Sequence, residues 1–255
     1  MNPDDDNLIN KEHHAESVLH TGGLLSNCDD DDRKGFIIKV YSILTAQLVM
    51  TFGSVAIVSF NDEARYNLQD PENTAALAMV IVACIVALVV ECMLLCCKKN
   101  ARTVPINYIL LFVFTACWTW IITWTCAQYD KTTVLSAALY TAVITVTLSL
   151  YACFTKADFT KLCGRWTIFA LIIIITVQLM LSVISMLIFD YTETWVPLAA
   201  GFCVILYGLF LIIDTQLIIG GKRHELTIDD YVVGALILYI DIIMIFLELL
   251  KIFGR

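Results

Sequence analysis

The chain has 255 residues, of which 59% are apolar and 16% charged; its mean hydropathy is +0.80 and its formal net charge is −8. That balance excludes an ordinary soluble domain and points to a chain that lives in lipid. No nucleic-acid partner is expected.

Residues 1–35 hold nine acids and three bases, a net −6, which leaves −2 for the remainder. Stretches such as "DDDNLIN", "HHAES" and "CDDDD" are too polar and acidic to bury themselves, so this segment is predicted to be a disordered cytosolic tail. It lacks the basic start and apolar centre of a secretory signal peptide. Its "DDDD" run lacks the alternating ligands and central glycine of an EF-hand loop.

From residue 36 onward the chain is a succession of apolar runs. A hydrocarbon core of about 30 Å calls for about 20 such residues per crossing helix. Runs of that length fall at 36–60, 75–97, 106–126, 132–154, 166–189, 195–219 and 231–250. They are continuous rather than alternating, which argues against barrel strands. The expected architecture is all-α: a seven-helix transmembrane bundle over 36–255, with no second folded domain.

The joints orient it. Lys98, Lys99 and Arg102, then Lys156, Lys161 and Arg165, then Lys222 and Arg223 lie on one side, against only Arg65 and Lys131 on the other. By the positive-inside rule the first set faces the cytosol, together with the tail. Lys251 and Arg255 at the end of a seventh crossing sit poorly with that rule. A re-entrant last segment is therefore the alternative to a full crossing.

Cys84, Cys92, Cys117, Cys153 and Cys203 fall inside runs and act as small apolar side chains. Cys96 and Cys97, beside two lysines, have a setting compatible with palmitoylation, although a plain packing role is favoured. No Cys or His spacing suggests zinc. His13, His14, His20 and His224 all lie outside the runs, so no tightly bound metal and no cofactor are expected.

Four acids stand inside the runs, where a lone charge costs at least about 2.5 kcal/mol. Glu91 is seven residues before Lys98, on nearly the same helix face. Glu248 is three before Lys251. Asp214, in "LIIDTQLIIGG", and Asp241 have no such local base. Their midpoint, residue 227.5, is close to the centre of the joint between their helices near 225, so they lie at similar depth. Two carboxyls in a low-dielectric site do not both ionise readily; sharing one proton gives a short, charge-assisted hydrogen bond and a pair that titrates as a unit. The competing structural reading has each Asp bonded separately to Thr, Tyr or backbone groups.

"IDTQLIIGG" followed by "TIDDYVVGALILYIDIIMIFLELLKIFG" resembles the closing signature of the transmembrane Bax inhibitor motif family, its Lifeguard branch in particular. "KVYSILTAQLVMTFG", "ARTVPINYILLFVFT" and "FTKADFTK" resemble earlier parts of that family in the right order. The acidic tail departs from the Pro-rich tails of many Lifeguard proteins. The resemblance implies a seven-helix calcium leak channel of intracellular membranes that suppresses apoptosis, with calcium as the permeant ion. It also implies that Asp214 and Asp241 form a pH sensor latched by a base at the cytosolic end of the second helix. Lys98, Lys99 and Arg102 are the candidates, and spacing does not choose among them. Endoplasmic reticulum or Golgi is the compartment implied, with endosomal or plasma membrane as alternatives. The lipid bilayer, calcium ions and apoptosis-regulating membrane proteins are the expected partners.

Two other functions compete. One is a non-conducting membrane scaffold that regulates apoptosis through protein partners. The other is an intramembrane aspartyl protease, which also places acids on adjacent helices. The sequence disfavours the protease, because "LYID" around Asp241 has none of the glycines of a GxGD stretch. The chain is therefore read as no enzyme.

Overall fold

The computed structural model describes residues 25, 29–70, 73–162, 195–220 and 226–254. These residues form eight α-helices: α1 Asp30–Phe60, α2 Asp62–Gln69, α3 Thr74–Cys96, α4 Lys98–Arg102, α5 Ile106–Ala127, α6 Lys131–Phe154, α7 Trp195–Ile219 and α8 Tyr231–Phe253. Among the described residues there is no strand, and six helices are long and apolar enough to cross a membrane. They coincide with six of the seven expected runs. The run at 166–189 lies outside the described residues.

The first helix starts six residues before the expected boundary. Asp30, Asp31 and Asp32 occupy its first turn, where carboxylates are favoured by the helix dipole, so residues 30–35 belong to α1 rather than to the tail. At 31 residues α1 is about 46 Å long, more than the hydrocarbon core needs. At the far end of the chain Gly220 closes α7 with φ 74°, a backbone state open to glycine at little cost, while its N–H donates to the Gln216 carbonyl.

Two groups of helices flank α8. On one side α1 and α3 each pack against α5; on the other α6 packs against α7; and α8 touches α1, α5, α6 and α7. Its buried residues run the whole way from Val232 to Leu250. Gly234 brings three neighbours close, since a Cβ there would lie 3.3 Å from both Leu226 and Val40 and 3.4 Å from Ile218. By contrast α3 turns only Ala76, Ala83, Ala87, Val90 and Leu94 inward, leaving residues such as Ile85 and Leu88 exposed on its outer surface.

The last helix is unbroken, and long and apolar enough to cross a membrane. It begins beside Arg102, which precedes α5, and ends with Gly254 packed on the ring of Tyr129, which follows α5. A re-entrant turn is thus replaced by a 23-residue helix parallel to α5. Lys251, the base that fitted a full crossing badly, is held 2.8 Å from Glu248.

The base-bearing joints gather at one face. Arg33 donates to the Ile219 carbonyl at 2.7 Å, joining the start of α1 to the end of α7. Gln216 of α7 accepts from the Phe159 N–H and donates to the Ala157 carbonyl, each at 2.9 Å, holding the segment after α6 on the same end of the bundle. The opposite face carries Lys131 bonded to Asp62 and Arg65 donating to the carbonyls of Ala127 and Tyr129.

Candidate functional site

Asp214 and Asp241 meet. The antiparallel packing of α7 on α8 brings their carboxyls within hydrogen-bonding reach of each other. Asp241 is 6% exposed, and its Oδ2 is buried without a hydrogen bond from any N–H or hydroxyl donor. Asp214 is only partly buried. Two carboxyls this close can bond directly only when one of them carries a proton.

The same register continues along the two helices. Seven residues before Asp214 stands Tyr207, and seven after Asp241 stands Glu248, so Tyr207 lies opposite Glu248 and within electrostatic reach of both acids. Glu248 is 2% exposed and Tyr207 is 7% exposed. One face of α8 therefore carries acids at two levels along α7. The next residue but one after Asp214 is Gln216, which anchors the 157–159 segment, so "DTQ" joins the acid pair to the base-bearing face.

The candidate bases are placed differently from one another. Arg102 binds Asp230 through two bonds, Nε to Oδ1 at 2.8 Å and Nη2 to Oδ2 at 2.9 Å, and Nη2 also donates to the Thr227 hydroxyl at 2.9 Å. Thr227 and Asp230 in turn form a capping box on the short 3₁₀ turn before α8. Lys99 is exposed, and its carbonyl accepts from Thr103. The Lys98 side chain lies outside the described atoms, as does whatever it offers Glu91, which is half-buried on α3. Among the described residues no ion pair reaches Asp214 or Asp241. Nor do three His, Cys, Asp or Glu side chains converge among them as a metal site would require.

A second polar seam lies on the other side of α8. Thr51 shares hydrogen bonds with Thr119 at 3.0 Å and with Tyr239 at 2.8 Å, while Gln47 donates to Thr115 at 2.9 Å. Thr115, Thr119 and Thr123 recur every four residues on α5, and Gln47, Thr51, Val55 and Ser59 do so on α1. Sequence reasoning passed over this seam, although threonine at helical spacing within an apolar run was a legible signal, since polar side chains join helices in lipid.

Fold and site together define a multi-pass helical membrane protein that buries a carboxyl pair between its last two long helices. The chain belongs to the Bax inhibitor family: residues 33–255 match the family described as Bax1-I, inhibitor of apoptosis-promoting Bax1. Among its relatives is Protein lifeguard 3 of Homo sapiens, 33% identical over 227 residues that cover 88% of this chain and 70% of the relative. Protein lifeguard 3 of Mus musculus is 32% identical over 88% of this chain and 71% of its own. Protein LIFEGUARD 4 of Arabidopsis thaliana is 32% identical over 87% of this chain and 85% of its own. The Lifeguard resemblance read from the closing helices is thereby shown.

Proposed function

We propose that this protein is a pH-sensitive calcium leak channel of intracellular membranes that restrains apoptosis. The single observation that supports the pH-sensitive part is the approach of the Asp214 and Asp241 carboxyls to within hydrogen-bonding reach across the α7–α8 contact. The restraint of apoptosis rests on the family to which the chain belongs.

The pair works as a gate because its contact depends on one proton. With one shared proton the carboxyls attract. With none, two unit charges about 4 Å apart repel by about 4 kcal/mol at an effective dielectric constant of 20, which loosens α7 from α8. With two, the bond loses its charge assistance. A calcium ion passing between the helices needs oxygen ligands that replace part of its hydration without trapping it, and two facing carboxyls flanked by Tyr207 and Glu248 supply such oxygens in steps. Of the candidate latch bases, Arg102 is bonded to Asp230 rather than to the pair.

Purified protein in liposomes loaded with a calcium indicator tests the reading. Leak is expected to change with pH, and Asp241→Asn, which keeps the shape and hydrogen bonding but not the titratable charge, is expected to flatten that dependence. A well-folded Asp241→Asn protein with the parent's pH profile would sink the proton-sharing gate. Absence of any leak from the purified parent would favour a non-conducting scaffold.

A further inference from the structure

Cys96 and Cys97, at the joint between α3 and α4, belong to none of the machinery above. α3 turns Ala83, Ala87, Val90 and Leu94 into the bundle, while Ile81, Ile85, Leu88, Cys92 and Cys96 follow one another at helical spacing on its opposite face, all of them exposed. Cys97 is exposed as well and ends the helix. With φ −105° and ψ 83° it leaves the helical state, and its carbonyl accepts from the N–H groups of Asn100 at 2.9 Å and Ala101 at 3.3 Å, which turns the chain into α4. The packing role that the sequence favours for these two thiols is therefore not the one the fold gives them. We propose that Cys96 and Cys97 are sites of S-acylation, taking long-chain fatty acyl groups from acyl-coenzyme A through a membrane acyltransferase on the cytosolic side.

Depth selects these two among the described cysteines of α3. At 23 residues the helix is about 34 Å long, slightly more than the ~30 Å of hydrocarbon, so its last residues reach the headgroup layer. The short α4 that follows is tied to the base-bearing face by the Arg102–Asp230 pair, and Lys98 and Lys99 come directly after Cys97 in the chain. Such bases hold a joint among lipid phosphates, on the cytosolic side by the positive-inside rule. The nucleotide of acyl-coenzyme A is a polyanion that stays in water while its acyl chain enters lipid, so its thioester meets a thiol at this boundary and no deeper. Cys92 lies one turn further in, about 6 Å, and Cys84 about 18 Å. Cys153, exposed near the end of α6, is a single thiol, whereas neighbouring cysteines place two acyl chains at one point, the number that makes lipid attachment stable.

The chemistry balances without an oxidant or reductant. Each cysteine sulfur attacks the acyl carbonyl carbon, a new thioester bond forms, the bond from that carbon to the coenzyme A sulfur breaks, and the cysteine proton ends on the released coenzyme A thiol. The attached chains then lie in the leaflet beside α3 and hold α4 on the bilayer where it leads into the Arg102–Asp230 pair.

Acyl exchange on the full chain expressed in eukaryotic cells tests the proposal: free thiols are blocked, thioesters are cleaved with hydroxylamine, and the released thiols are tagged with a polyethylene glycol maleimide. Two hydroxylamine-dependent tags are expected. Cys96→Ser and Cys97→Ser should each remove one, and the double variant should remove both; the exposure of both side chains leaves folding unchanged, which thermal unfolding checks. No hydroxylamine-dependent tag, or tags that persist in the double variant and vanish in Cys153→Ser or Cys92→Ser, would overturn the site. In sealed microsomes a membrane-impermeant maleimide should reach the released thiols from outside. Tagging only after the vesicles are opened would separate the joint from acyl-coenzyme A and overturn the assignment independently of any calcium leak.

Discussion

Asp230 illustrates how a single side chain can close several structures at once. It caps the turn ahead of α8, accepts both bonds of the Arg102 guanidinium and bonds the Thr227 hydroxyl. Burial alone would push its carboxyl up, but the bonds from Arg102 and Thr227 together with the Arg102 charge outweigh burial and hold it below the ordinary range. A carboxyl depressed in the folded state stabilises fully above its unfolded value of about 3.9, and that contribution is lost as pH falls through the folded value. Asp230→Asn should therefore lower stability at neutral pH by about 1–3 kcal/mol, and the gap from the parent should narrow below about pH 4. Thermal unfolding in detergent at several pH values measures both; a gap independent of pH would contradict the assignment. Asp214 and Asp241 were legible as a pair because each lacked a local base. The partner of Arg102 was not, because Lys98, Lys99 and Arg102 are alike in type and spacing, and only the fold brings one of them to Asp230.

At the scale of helices, position in the bundle outweighs hydrophobicity. The outer surface of α3 and the heart of α8 are similarly apolar, yet Leu88 is 64% exposed and Phe246 is fully buried, packed edge-to-face on Phe52 at 5.1 Å. Lipid tails replace protein contacts for Leu88 but cannot fill a hole inside the bundle. Phe246→Ala is therefore expected to cost about 2 kcal/mol or more, and Leu88→Ala about 0.5 kcal/mol or less. Comparative unfolding of the two variants in the same detergent checks this; equal losses would mean that α8 is not the central helix. The seam of Thr51, Thr119 and Tyr239 supports the same placement, since Tyr239 of α8 bonds Thr51 of α1, which also bonds Thr119 of α5, while α8 presents its acids to α7.

For the molecule as a whole, the distribution of charge and the geometry of the ends agree. Arg33, Arg102 and the segment after α6 collect at one face, and Asp62, Lys131, Tyr129 and Gly254 at the other. By the positive-inside rule the first face is expected to be cytosolic. Epitopes at Cys28 and within 220–230 are accordingly expected to be digested by protease added to sealed vesicles, and one within 190–195 to be protected. Protection of the Cys28 epitope would reverse the orientation.

The number and position of the apolar runs follow from sequence alone, because bilayer thickness sets the length of any crossing helix and six described helices obey it. So does the presence of acids without local partners, because charge within an apolar run is costly wherever the chain folds. Which helix stands in the middle, which acid meets which, and that the last run is one unbroken helix were decided by tertiary structure. Lipid-facing and protein-facing side chains are equally apolar, so hydrophobicity cannot tell inside from outside. Small and polar residues do that work at particular crossings: Gly234 lets α1 and α7 approach α8, and the register of α7 on α8 brings Asp214 to Asp241.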